Sequence, residues 1–63
     1  MKIHPTAIIS EKSKIDNSVE VGPFCIIDED VEIKKGTKLL SHVVLRGPTC
    51  IGEDNIFFQF STI

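Results

Sequence analysis

The side chains of this chain that could do chemistry are few: His4 and His42, Cys25 and Cys50, and the acidic run Asp28-Glu29-Asp30. A histidine can serve as a base or metal ligand, a thiolate as a nucleophile or soft ligand, and neighbouring carboxylates as an acid/base pair or cation site. None of them has the partner spacing that such a role requires. His4 is held extended by Pro5 and reads as a bend residue, and His42 also falls at an outer bend. The cysteines show no Cys-x-x-Cys spacing and occupy different positions of the repeat described below, one inward and one outward, so no disulfide is expected. The acidic run sits at a bend with no second acidic cluster above or below it, and Arg46 stands over Asp28. Gly22 and Gly36 fit neither a Gly-x-Gly-x-x-Gly nor a Gly-x-x-x-x-Gly-Lys pattern and read as corner residues. No catalytic, substrate-binding or metal-ligating residue is therefore assigned within the chain.

What the sequence does specify is a scaffold. Ile3, Ile9, Ile15, Val21, Ile27, Ile33, Leu39, Leu45, Ile51, Phe57 and Ile63 recur every six residues without an exception. Two residues before each, from Ala7 onward, stands a smaller one: Ala7, Ser13, Val19, Cys25, Val31, Thr37, Val43, Thr49, Asn55 and Ser61. A period of six excludes an amphipathic helix or coiled coil and points to a hexapeptide β-helix. In a strand, residues two apart face the same way, so each small residue and the aliphatic after it both point inward. Three such strands joined by bends make one triangular coil of 18 residues, and coils stack at roughly 4.8 Å. The fold class expected is all-β, a parallel β-helix of about three and a half coils, with residues 1–63 forming one hexapeptide-repeat domain that begins a longer solenoid.

The composition agrees. The chain has 63 residues, 41% of them hydrophobic, with four Phe and no Trp or Tyr, which suits a narrow aliphatic interior. A core this small leaves the chain marginally stable alone. A net charge of −2 offers no basic patch for nucleic acid or an anionic membrane. There is no apolar run long enough for a signal peptide or a membrane span, so a cytoplasmic location is expected.

An 18-residue coil places Lys14 under Glu32, Asp16 under Lys34, Glu20 under Lys38 and Asp28 under Arg46, four stacked pairs of opposite charge. One outward column breaks the polar rule: Ile8, Ile26 and Val44, continued by Thr62, form an apolar strip down one face. That strip is the expected oligomer interface, and a flat face meeting copies of itself suits a homotrimer.

The strings Ile3-His4-Pro5-Thr6-Ala7-Ile8-Ile9, Val21-Gly22-Pro23-Phe24-Cys25-Ile26-Ile27, Ser41-His42-Val43-Val44 and Gly47-Pro48-Thr49-Cys50-Ile51-Gly52-Glu53-Asp54-Asn55, followed by Phe58-Gln59-Phe60-Ser61-Thr62-Ile63, resemble the N-terminal portion of the UDP-N-acetylglucosamine O-acyltransferases of lipid A biosynthesis, within the hexapeptide-repeat acyltransferases. The resemblance implies a left-handed β-helix, an exception to the right-handed crossover rule, assembled as a homotrimer. It implies a cytoplasmic transferase that moves a (3-hydroxy)acyl chain from acyl carrier protein to the 3-hydroxyl of UDP-N-acetylglucosamine, without metal or cofactor. The family's histidine base lies on a later coil and maps to no position here, and His42 is not its counterpart. The resemblance thus implies an enzyme whose catalytic residues lie beyond Ile63, these 63 residues being inactive alone. A non-catalytic β-helical structural or oligomerisation module, and a sister hexapeptide acyltransferase such as the later N-acyltransferase of the pathway, are the alternatives. The Ser41 to Asn55 segment argues against the sister enzyme.

Overall fold

The structure is a computed structural model describing residues 2–63; Met1, at the head of the first expected coil and of the 1–63 domain, lies outside the described residues. Ten short strands follow one another: β1 (Lys2–Ile3), β2 (Ile8–Ile9), β3 (Lys14–Ile15), β4 (Glu20–Val21), β5 (Ile26–Ile27), β6 (Val31–Ile33), β7 (Lys38–Leu39), β8 (Val44–Leu45), β9 (Thr49–Ile51) and β10 (Ile56–Phe57). Each ends on the large residue of the six-residue series, after which the chain turns. The strands sort into three parallel sheets, β1-β4-β7-β10, β2-β5-β8 and β3-β6-β9. Every third strand pairs, as a triangular coil demands. This is a parallel β-helix.

The register is 18 residues throughout. Ile3, Val21, Leu39 and Phe57 are successive Cα partners on one face. Ile9, Ile27 and Leu45 are partners on the second, and Ile15, Ile33 and Ile51 on the third. Val21, Leu39, Ile27, Leu45, Ile33 and Ile51 of these columns and the smaller inward residues Val19, Cys25, Val31, Thr37 and Val43 make the core. Ala7, Ile9, Ile15 and Phe57 pack against it from the end coils, while Ile3, expected inside, is exposed at the end of its column. Burying each large aliphatic contributes about 1.5–3 kcal/mol. Thr37 is the buried polar side chain among the described residues, and its hydroxyl donates to the Gly52 carbonyl (2.8 Å) and accepts from the Asn55 N–H (3.3 Å). A hydroxyl satisfied on both sides can stand in an apolar column.

The corners solve a backbone problem. Phe24, Asp30, Gly36, His42, Asp54 and Phe60, six or twelve residues apart, all have positive φ, between 54° and 78°. In each case the N–H donates to the coil beneath. Pro48 occupies the remaining place in this series, after a cis Gly47–Pro48 bond. Having no N–H, it leaves Thr49 to donate to the Asp30 carbonyl (3.1 Å). Gly36 is a corner glycine of the expected kind, with φ 78°. Gly22 serves differently: a Cβ there would overlap the Leu40 carbonyl of the coil above.

Two of the four anticipated charge pairs form, Glu20 with Lys38 (3.4 Å) and Asp28 with Arg46 (4.0 Å). Lys2 adds to Glu20 from below (3.9 Å), and Lys12 meets Glu29 (3.9 Å). Lys14 and Glu32 are register partners, but neither they nor Asp16 and Lys34 form an ion pair among the described residues. The Asp16 carboxylate turns to its own corner instead, where Oδ1 accepts from the Ser18 N–H (3.0 Å) and hydroxyl (2.8 Å). These two bonds, the backbone one first, hold its carboxyl below the usual value of 3.8. Because the folded value is depressed, the contribution of Asp16 is fully present above 3.8 and is lost as pH falls through the folded value. The urea midpoint of the wild-type chain is expected to exceed that of Asp16→Asn at about pH 6, and the gap is expected to narrow as the pH is taken below 3.8. A gap that does not change with pH would contradict this.

Candidate functional site

The expected contact strip exists as a column. Ile8, Ile26 and Val44 are Cα partners in successive coils, and Thr62 bridges to Val44. Each precedes an interior residue, so the alternation of a strand turns it outward. Ile8 is 65% exposed, Ile26 38%, and Val44 is half-buried.

The strip continues round the corner before it in a feature that reading by single residues missed. The rings of Phe24, His42 and Phe60 stack one above another, with centroids 5.1 Å apart and planes inclined by 29° at each step. All three sit in left-handed backbone, φ 57°, 54° and 63°, a conformation uncommon for any residue but glycine and rarer still for a bulky one. Phe24 is 56% and Phe60 78% exposed. The 18-residue spacing of 24, 42 and 60 was the signal available. Together the strip and the ladder form one apolar edge of the prism.

The chemistry-bearing residues do not converge. The His42 ring is exposed and flanked on both sides by phenyl rings in the ladder. His4 Nδ1 accepts from the Thr6 N–H (3.2 Å) and lies 2.8 Å from the Thr6 hydroxyl. Cys25 is buried and Cys50 exposed, and both are free thiols. Asp28 and Glu29 share one bend and are drawn apart there, Asp28 to Arg46 of the coil above and Glu29 to Lys12 of the coil below. Among the described residues no three His, Cys, Asp or Glu side chains gather as a cation site would need. A shallow depression on the β3-β6-β9 face is lined by Lys14, Asp16, Glu32, Lys34, Lys35 and Glu53, charges of both signs open to solvent. What the arrangement can do is present a flat apolar edge on a rigid prism.

No family model matches the chain. Over 62 residues, 98% of the chain, it is 50% identical to the acyl-(acyl-carrier-protein)-UDP-N-acetylglucosamine O-acyltransferase of Thermodesulfovibrio yellowstonii. It is 48% identical, over the same length, to the enzyme of that name from a Psychrobacter species. The chain resembles the UDP-N-acetylglucosamine O-acyltransferases. It spans about a quarter of the length of these relatives, 24% of each. The similarity to these O-acyltransferases therefore runs through every coil of the β-helix. Among the described residues no helix is long and apolar enough to cross a membrane.

Proposed function

We propose that the chain is the opening portion of an acyl-(acyl-carrier-protein)-UDP-N-acetylglucosamine O-acyltransferase that acts in the cytoplasm at the first step of lipid A biosynthesis. The observation that carries this reading is identity of about one half over 98% of the chain. In the reaction proposed, the 3-hydroxyl oxygen of UDP-N-acetylglucosamine attacks the thioester carbon of a (3-hydroxy)acyl carrier protein. A C–O bond forms and the C–S bond breaks, a general base takes the hydroxyl proton and returns it to the departing sulfur, and the carrier leaves as its thiol. That base lies beyond Ile63. The coils of this chain supply a stiff support and, through Ile8, Ile26 and Val44, the contact face of a homotrimer.

The coding DNA beyond Ile63 tests the first part. A continuing hexapeptide frame that brings a histidine onto a later coil supports the reading. A stop codon directly after Ile63, with a stable 63-residue product in the cell, would replace it with a free-standing structural module. The contact face has its own test. Ile26→Lys puts a charge into the apolar strip, and an unpaired charge in a buried contact costs several kcal/mol. Sedimentation equilibrium is expected to show a mass of three chains for the wild type and of one chain for the variant. A wild-type monomer whose mass Ile26→Lys leaves unchanged would refute the assigned face.

A further inference from the structure

From the second coil on, the third residue of every corner other than Pro48 turns its N–H down onto the coil beneath. Phe24 donates to the Thr6 hydroxyl oxygen (3.0 Å) and Gly36 to the Ser18 hydroxyl oxygen (2.9 Å). Asp30 donates to the Lys12 carbonyl (3.3 Å), His42 to Pro23 (3.0 Å), Asp54 to Lys35 (3.0 Å) and Phe60 to His42 (3.1 Å). The left-handed φ of these residues accompanies that orientation. In the first coil the equivalent residues are Thr6, Lys12 and Ser18, and none of them has a positive φ. Their N–H groups stay inside the coil, each bonded to the side chain two residues earlier. Thr6 donates to His4 Nδ1 (3.2 Å), Lys12 to Ser10 Oγ (3.2 Å) and Ser18 to Asp16 Oδ1 (3.0 Å).

The sequence marks the same distinction. The side chains at the entry to the three first-coil corners are His4, Ser10 and Asp16, all acceptors. At the equivalent places later in the chain stand Gly22, Asp28, Lys34, Leu40, Arg46, Gly52 and Phe58. The one acceptor among these, Asp28, is not used in this way, because the Asp30 N–H goes to Lys12. A backbone N–H left without a partner is costly, so the two kinds of corner are two solutions to one requirement.

We propose that the first coil is self-satisfied at its corners, in that His4, Ser10 and Asp16 close the corner donors from within and the Thr6 and Ser18 hydroxyls relay two of those corners to the second coil. The relay is a chain of bonds in each case. At one corner the Thr6 hydroxyl lies between His4 Nδ1 (2.8 Å) and the Phe24 N–H. At the other, Ser18 donates its hydroxyl to Asp16 (2.8 Å) while accepting from Gly36. The device fixes the second coil at a displacement of 18 residues from the first.

Amide hydrogen exchange of the chain, resolved residue by residue, tests this. Ser18→Ala is expected to raise exchange at Gly36 by about tenfold relative to Leu39 while Phe24 keeps its rate, and Thr6→Val to do the reverse. Ser18→Thr, which keeps the hydroxyl, is expected to restore protection at Gly36. Asp16→Ala is expected to speed exchange at Ser18 and Gly36 together. Equal acceleration at Phe24, Gly36 and Leu39 in either hydroxyl variant, or no change at the relayed amide, would overturn the proposal.

Discussion

Leu45→Ala is expected to destabilise the chain by about 2–5 kcal/mol, the range for removing most of a fully buried leucine. Leu45 is 0% exposed and is stacked on Ile27, which stands over Ile9 in the same column. The triangular interior cannot collapse to fill the space, because its three walls are held by parallel ladders in fixed register. Small domains have only a few kcal/mol in hand, so the expected result in a urea titration is loss of the cooperative transition. Leu40→Ala is the control. Leu40 is an exposed leucine in the same coil, and its truncation is expected to cost less than about 1 kcal/mol. Equal effects of the two substitutions would mean that the columns are not the core.

Gly22→Ala is the second large effect. The added methyl would overlap the Leu40 carbonyl oxygen, and the Leu39 carbonyl oxygen is 3.0 Å away. Both are backbone atoms of the overlying coil, which cannot swing aside as a flexible side chain would. A loss of about 3 kcal/mol is expected, at the upper end for overpacking. Gly52→Ala meets only Asn55 Nδ2 at 3.6 Å, an ordinary contact, and is expected to stay within about 0.5 kcal/mol of wild type. Thermal unfolding of the two variants side by side decides the matter. A Gly22→Ala melting temperature equal to that of Gly52→Ala would show that the coils do not approach each other as closely as described.

The contrast between these glycines shows where the sequence stops being legible. Ile3, Val21, Leu39 and Phe57 could be placed in one column by counting, because side-chain direction in a strand has a period of two and the corners add a fixed length. The outward column Ile8, Ile26, Val44 followed from the same arithmetic. Gly22 and Gly36 look alike in sequence, yet one accommodates a neighbouring carbonyl and the other a left-handed turn. That difference depends on which way the peptide planes face.

The corners were hidden for the same reason. Phe24, His42 and Phe60 carry no local mark of positive φ, since a phenylalanine ordinarily avoids it. Only the requirement that each corner N–H reach the coil below explains it, and that requirement is set by stacking. The charge pairs failed in an instructive way at Asp16. Its stacked partner Lys34 stands at the entry to a corner as Asp16 does, but the nearer donors on Ser18 took the carboxylate. A local bond to the backbone orders less side chain than an exposed ion pair, which is worth under about 1 kcal/mol.

The proposed function separates scaffold from chemistry, and an acyl-transfer assay tests that separation most directly. The 63-residue chain and the full product of its gene would each be incubated with a (3-hydroxy)acyl carrier protein and UDP-N-acetylglucosamine, with release of the carrier thiol followed against a no-protein control. Thiol release and acylated nucleotide sugar are expected from the full product and from it alone. Turnover by the 63-residue chain above the control would contradict the separation, and a full product inactive on both substrates would contradict the function.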